Sequence, residues 1–255
     1  MSPSDVRLVS RRAMIAAAGA TALSSTSQAA DAGAVKAIAF DAFTVFDPRG
    51  ITEAAQARFG ERGKRLAEIW SSKLFSYTWL RDAAERYAPF EDLADDALSF
   101  AVNSLGMSLS EADRADLVSR YRRLEVWPDV KPALQRLQSA QVRLVLLSNL
   151  GETALRANMR RNGLETVFEA PLSTDRVRRF KPAPAAYQMA IEAFGLPRRS
   201  IGFAAFAGWD AAGAAWFGYR TAWINRLGAP EEQLDGRPAI VRPDFQGVLE
   251  LAGLA

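Results

Sequence analysis

The chain predicts an α/β fold with a parallel, doubly wound sheet and a helical segment inserted after the first strand. Three observations predict it. Ala37 to Phe43, Arg143 to Leu147 and Ile201 to Phe206 are apolar runs with little alternation, the pattern of strands buried on both faces of a parallel sheet. Helical patterns separate the later strands, as in strand–helix–strand units. Each of the three runs also leads into polar groups: Asp41, then Ser148-Asn149, then Trp209-Asp210. Open α/β sheets bind ligands at the carboxyl ends of their strands, so a carboxylate placed there is a metal ligand or a nucleophile. Lys181, opening Lys181-Pro182-Ala183-Pro184, adds a cation to this constellation.

Element by element, residues 1–12 are polar and end in Ser10-Arg11-Arg12. A short apolar run, Ala13 to Leu23, and small residues from Ser24 to Ala30 follow. That order is the plan of a secretory signal. The paired arginines indicate the twin-arginine route, and hence the periplasm, although Met14 stands where that motif usually has Phe. Residues 1–29 are expected to be the signal, cut at Ser27-Gln28-Ala29 or Ala30-Asp31-Ala32. The run falls well short of the ~20 residues that span a bilayer, so no stable membrane span is expected. A strand and loop are read over 34–47, and helical pattern over 51–124. There Trp70, Leu74, Tyr77 and Leu80 recur, as do Leu93, Ala97, Phe100 and Val102. From 125 the order is helix, strand, helix, short strand, helix, strand, helix, strand. The last strands are Thr221 to Ile224 and Ala239 to Val241. Residues 30–50 and 125–255 thus form a Rossmann-like core, with 51–124 as a helical cap over its carboxyl edge.

The 255 residues, 49% of them apolar, suffice for a packed core. Cysteine and histidine are both absent. Disulfides, thiolate nucleophiles, Cys/His zinc sites and imidazole bases are therefore excluded. Acid–base chemistry falls to Asp, Glu, Lys, Tyr or water. The net charge is only +3, and Arg7, Arg11 and Arg12 against Asp5 account for much of it. Nothing in that distribution points to nucleic acid.

At these residues the chain resembles the haloacid dehalogenase superfamily, and within it the L-2-haloacid dehalogenases (type II). The first family motif, Phe-Asp-x-Tyr/Phe-Gly-Thr-Leu/Val-Phe-Asp, appears as Phe40-Asp41-Ala42-Phe43-Thr44-Val45-Phe46-Asp47. The second is Leu147-Ser148-Asn149, and the third is Val177 to Pro182 with Tyr187 following. The fourth is Trp209-Asp210-Ala211-Ala212-Gly213, with Trp223-Ile224-Asn225-Arg226 after it. Tyr77-Thr78-Trp79-Leu80-Arg81 matches in the cap, and the likeness spans about residues 35–250.

The resemblance implies hydrolysis of a small 2-halo acid through an ester on Asp41, with no metal and no cofactor. Asp41 would be the nucleophile, Lys181 its positioned cation, and Asp210 the group that orients or activates water. Ser148 and Asn149 would bind the substrate carboxylate and the leaving halide. Phe43, Phe75, Phe90 and Trp209 would form an apolar pocket, and Thr44 and Tyr187 belong to the same substrate-binding set. Type II enzymes are often dimeric, so a homodimer stays open. Superfamily phosphatases carry Asp-x-Asp, whose second Asp protonates the leaving oxygen. Phe43 cannot do this, and a departing halide needs no proton. Ala204 to Ala207 also lacks the acidic pair that holds Mg²⁺ in those phosphatases.

Three departures from the family pattern stand out. The glycine between Phe43 and Thr44 is missing, Ser71 replaces a cap arginine just after Trp70, and Ala205-Phe206-Ala207 replaces Ser-Ser-Asn. Losing one charged donor from such a site costs about 3 kcal/mol, on the order of a hundredfold in rate. The expectation is a divergent dehalogenase of altered preference or low activity. A phosphatase and a catalytically impaired small-carboxylate-binding protein are the alternatives.

Overall fold

The run that opens at Ala37 becomes the central strand of the sheet in a computed structural model, which describes residues 35–255. The expected export signal, residues 1–29, lies outside them. After β1 (Ala37–Phe40) come a single turn, α1 (Ala42–Val45), and a two-residue strand, β2 (Phe46–Asp47). The helices α2 (Arg49–Phe59), α3 (Glu61–Ala83), α4 (Phe90–Ser104) and α5 (Glu111–Ser119) follow. Next are β3 (Glu125–Val126), α6 (Val130–Ser139), β4 (Arg143–Ser148), α7 (Glu152–Asn162) and β5 (Leu172–Ser173). The chain closes with α8 (Pro184–Phe194), β6 (Ile201–Ala205), α9 (Gly208–Phe217), β7 (Arg220–Ile224), β8 (Ile240–Arg242) and α10 (Gln246–Ala252).

Six strands form one sheet in the order β5-β4-β1-β6-β7-β8, with every neighbouring pair parallel. From β1 the chain builds β4 and β5 on one side, then crosses to build β6, β7 and β8 on the other. The strand order therefore reverses at β1, and the carboxyl ends of β4, β1 and β6 lie side by side at the crevice. The period of two explains the apolar runs. Ile38, Phe40, Leu144, Leu146 and Ala204 face one core cluster. Ala37, Ala39, Val145, Leu147 and Phe203 face the other.

The strand expected to reach Phe43 ends at Phe40. Asp41 caps α1 instead, its side chain accepting the Phe43 N–H. The local bond to the backbone gives Asp41 a helix-cap role that competes with continued pairing. The ribbon of β2 and β3, antiparallel with Phe46 opposite Val126, is too short to leave a sequence period.

The helical segment packs on the first core cluster. Along α3, Leu66, Trp70, Leu74 and Thr78 are buried at a spacing of four, so one stripe meets Leu93, Ala94, Ala97 and Leu98 of α4. Trp70 Nε1–H donates to the Ala94 carbonyl at 2.7 Å. The stripe expected from 70-74-77-80 runs off this face at Leu80, 64% exposed, and the one expected from 93-97-100-102 does so at Phe100, 41% exposed. Gly63 lets α2 and α3 touch, since a Cβ there would lie 1.9 Å from the Ala55 carbonyl oxygen. Among the described residues, no helix is long and apolar enough to cross a membrane.

Candidate active site

Asp41 follows the carboxyl end of β1 and is held from both sides. Its Oδ2 accepts the Phe43 N–H at 3.1 Å, and its carbonyl accepts the Thr44 hydroxyl at 2.6 Å. Oδ1 accepts from Lys181 Nζ at 2.7 Å, and the same ammonium donates to Asp210 Oδ2 at 2.7 Å. Lys181 is 1% exposed. Burial opposes its charge, but Asp210 and Asp41 outweigh burial, and its pKa is raised. The ammonium therefore stays charged and fixes two carboxylates from opposite ends of the sequence. A long, flexible side chain gives a defined geometry here because both acceptors are buried around it.

Asp210 stands in the first turn of α9, where the helix dipole favours a negative charge. Its Oδ1 accepts the Tyr187 hydroxyl at 2.7 Å. Burial is the largest influence on Asp210 and raises its pKa to about 6, against the opposing pull of Lys181. Burial and the neighbouring Asp210 push the Tyr187 phenol well above its ordinary value, so it remains a donor. Gly213 makes room for this contact, since a Cβ there would come within 2.6 Å of the Tyr187 hydroxyl and of Pro182 Cβ.

Asn149 follows β4 and orders the lysine loop. Its Oδ1 accepts the Lys181 backbone N–H at 2.9 Å. Its Nδ2 is buried with no hydrogen-bond partner among the described residues, an unpaired donor on the cavity wall. The Ser148 hydroxyl accepts the Leu150 N–H at 3.2 Å. From the helical side, the Asp82 carboxylate accepts the Phe180 N–H at 2.9 Å and pairs with Arg179. The Tyr87 ring stacks on Phe180 at 5.0 Å. These contacts tie the Lys181 loop to the end of α3.

A cavity of about 210 Å³ opens over these groups. Of the expected residues, Asp41, Phe43, Phe75, Phe90, Ser148, Asn149, Lys181, Trp209 and Asp210 all line it, and so does Ser71. Phe206 and Ala207 line it too, with Phe206 edge-on to Phe43 at 6.0 Å. Trp209 packs against Phe75 at 5.6 Å. Thr44 and Tyr187 do not reach the wall. Both are fully buried behind it, Thr44 bonded to the Asp41 backbone and Tyr187 to Asp210. The Thr44 hydroxyl is committed to the Asp41 backbone and the Tyr187 hydroxyl to the Asp210 carboxylate, which corrects their expected place among the substrate contacts.

Sequence reasoning missed Arg49, Tyr121 and Leu227 on the wall. A signal existed for Arg49, a cation just beyond the motif that carries Asp41; none existed for Leu227. Among the described residues, no three Asp or Glu side chains gather as metal ligands. The arrangement can perform displacement by a carboxylate followed by attack of water, in a largely apolar pocket.

A family model described as haloacid dehalogenase-like hydrolase matches residues 14–218. Haloacetate dehalogenase H-2 of Moraxella sp. (strain B) is 34% identical over 218 residues, which cover 85% of this chain and 97% of that protein. A crystal structure of an L-2-haloacid dehalogenase aligns at a TM-score of 0.83 and 37% identity, covering 86% of this chain and 99% of that one. The L-2-haloacid dehalogenase of Xanthobacter autotrophicus, solved with chloropropionic acid covalently bound, aligns at a TM-score of 0.78 and 30% identity. That alignment covers 87% of this chain and 100% of the other.

Proposed function

This chain belongs to the haloacid dehalogenase-like hydrolases, and on that premise we propose that it hydrolyses the carbon–halogen bond of a small 2-haloalkanoic acid. The observation that carries the reading is the Asp41–Lys181–Asp210 array on the floor of an apolar cavity. An Asp41 oxygen attacks the substrate Cα as the carbon–halogen bond breaks, and the halide leaves with the bonding pair. The product is an ester between Asp41 and the acid. Water then adds to the Asp41 carboxyl carbon while Asp210 takes its proton. The tetrahedral intermediate collapses by breaking the bond to the ester oxygen, which departs with the substrate carbon. That alkoxide takes a proton and leaves as a 2-hydroxy acid. The water oxygen remains in Asp41.

Lys181 steadies the charge that passes through the Asp41 carboxylate and the tetrahedral intermediate. Asn149, with its unpaired Nδ2, supplies a donor to substrate or halide. Phe43, Phe75, Phe90 and Trp209 surround the reacting carbon and exclude water from the first step. Phe43 offers no proton to a leaving group, which suits halide and not the oxygen of a phosphate ester.

Purified protein is expected to release halide from chloro-, bromo- or fluoroacetate, or from 2-chloropropionate. In a single turnover in ¹⁸O water, mass spectrometry should find the label first in the Asp41 carboxylate. Asp41→Asn should abolish turnover, because an amide is a far poorer nucleophile. Label appearing first in the product hydroxyl would mean that water attacks the substrate directly. No halide release from any of these acids would refute the hydrolase reading.

A further inference from the structure

We infer that Arg49, at the start of α2, is the residue that binds the substrate carboxylate in this cavity. The inference rests on the proposed haloacid substrate and names the group that selects it. Four charged side chains line the cavity among the described residues: Asp41, Arg49, Lys181 and Asp210. Lys181 is bonded to both carboxylates, so with all three ionised the floor carries one negative charge in excess. An acid substrate brings another. Like charges at a few ångströms inside a half-enclosed site repel strongly. Arg49 is the cation of the wall that is bonded to neither floor carboxylate. The wall position Ser71 offers only a hydroxyl.

The Arg49 guanidinium is held in one orientation. Asp47 accepts from its Nε at 3.0 Å and its Nη2 at 2.6 Å, and Asp47 Oδ1 also accepts the Arg49 backbone N–H at 2.9 Å. Nη1 has no acceptor among the described residues, which leaves an edge of two donors. The guanidinium lies 4.5 Å from the centre of the Trp127 ring. That ring is itself pinned, because its Nε1–H donates to the Phe43 carbonyl at 3.0 Å. Arg226 stacks on the same indole at 4.5 Å and donates to the Thr44 carbonyl. Arg49 is thus mounted on a platform tied to the turn that bears Asp41. Asp47, the largest influence, raises the Arg49 pKa, so its charge persists at every working pH. The side chain is 54% exposed, which sets it at the rim of the cavity that it lines. A fixed guanidinium is the group best matched to a planar carboxylate.

The test compares wild type, Arg49→Gln and Arg49→Lys on chloroacetate and on the neutral analogue 2-chloroacetamide. Arg49→Gln should raise KM for chloroacetate about 10- to 100-fold, the loss of one charged hydrogen-bonding contact, with kcat little changed. KM for the amide should stay the same. Arg49→Lys should recover part of the loss, because the charge remains without the fork. Calorimetric titration with propionate, which cannot turn over, should show the same weakening in Arg49→Gln. Unchanged chloroacetate KM and propionate affinity in Arg49→Gln would overturn the inference, as would equal losses on acid and amide or no propionate binding by wild type. If wild type releases no halide, the proposed reaction fails, and propionate titration alone still decides the role of Arg49.

Discussion

Removal of the Tyr187 hydroxyl offers a quantitative test of how Asp210, the proposed general base, is tuned. Tyr187 is completely buried, and its hydroxyl donates to Asp210 Oδ1 at 2.7 Å. That bond favours the ionised form of Asp210, whereas burial favours the neutral form and sets its pKa at about 6. As general base, Asp210 must be ionised, so ester hydrolysis should weaken as pH falls through about 6. Tyr187→Phe keeps the ring and deletes one hydrogen bond to a carboxylate. Such bonds contribute roughly 1.5–3 kcal/mol, and about 1.4 kcal/mol corresponds to one pKa unit. The acid limb should therefore move up by about one unit or more, with the rate recovering at alkaline pH.

Linkage gives the same perturbation a second readout. The folded pKa of Asp210 lies above the ordinary carboxylate range, so this group's contribution to stability is fully present at low pH and is lost as pH rises through about 6. Tyr187→Phe extends that loss upward. The variant should be destabilised relative to wild type by about 1–3 kcal/mol more at pH 8 than at pH 5. Single-turnover rates across pH and urea melts at the two pH values check both limbs. A variant whose acid limb stays in place, or whose stability deficit is equal at both pH values, would show that Tyr187 serves packing and does not tune Asp210.

Two further outcomes are expected. Turnover should survive EDTA, because both floor carboxylates are bonded to Lys181 and the stretch Ala204 to Ala207 supplies no acidic ligand for a hard cation. Loss of activity restored by Mg²⁺ would overturn this and favour a phosphatase. N-terminal sequencing of protein from the periplasm should begin near residues 30–33, as Arg11-Arg12, the short apolar run and the small residues imply. Soluble cytoplasmic protein that retains Met1 or Ser2 would refute export.

The site was legible in the sequence because its chemistry sits at strand ends. A strand buried on both faces must be apolar throughout, so the first polar residue past it is conspicuous, and Asp41, Ser148-Asn149 and Asp210 were found that way. The absence of His and Cys then narrowed the acid–base chemistry to carboxylates, lysine, tyrosine and water. What the sequence could not carry was direction. Thr44 and Tyr187 belong to the same motifs as Asp41 and Lys181, yet their side chains turn behind the wall, to the Asp41 backbone and to Asp210. The short α1 turn decides the first. The packing of α8 against the sheet, with Tyr187 in the second core cluster, decides the other. Arg49 shows the converse case. Its nearness to the motif that carries Asp41 is a weak signal, because its place depends on a ribbon between Asp47 and Glu125 and on a stack with Trp127. Periodicity and composition report how a residue meets its own element. Which cavity a half-exposed side chain enters is set by partners far along the chain, and those come together only in the folded molecule.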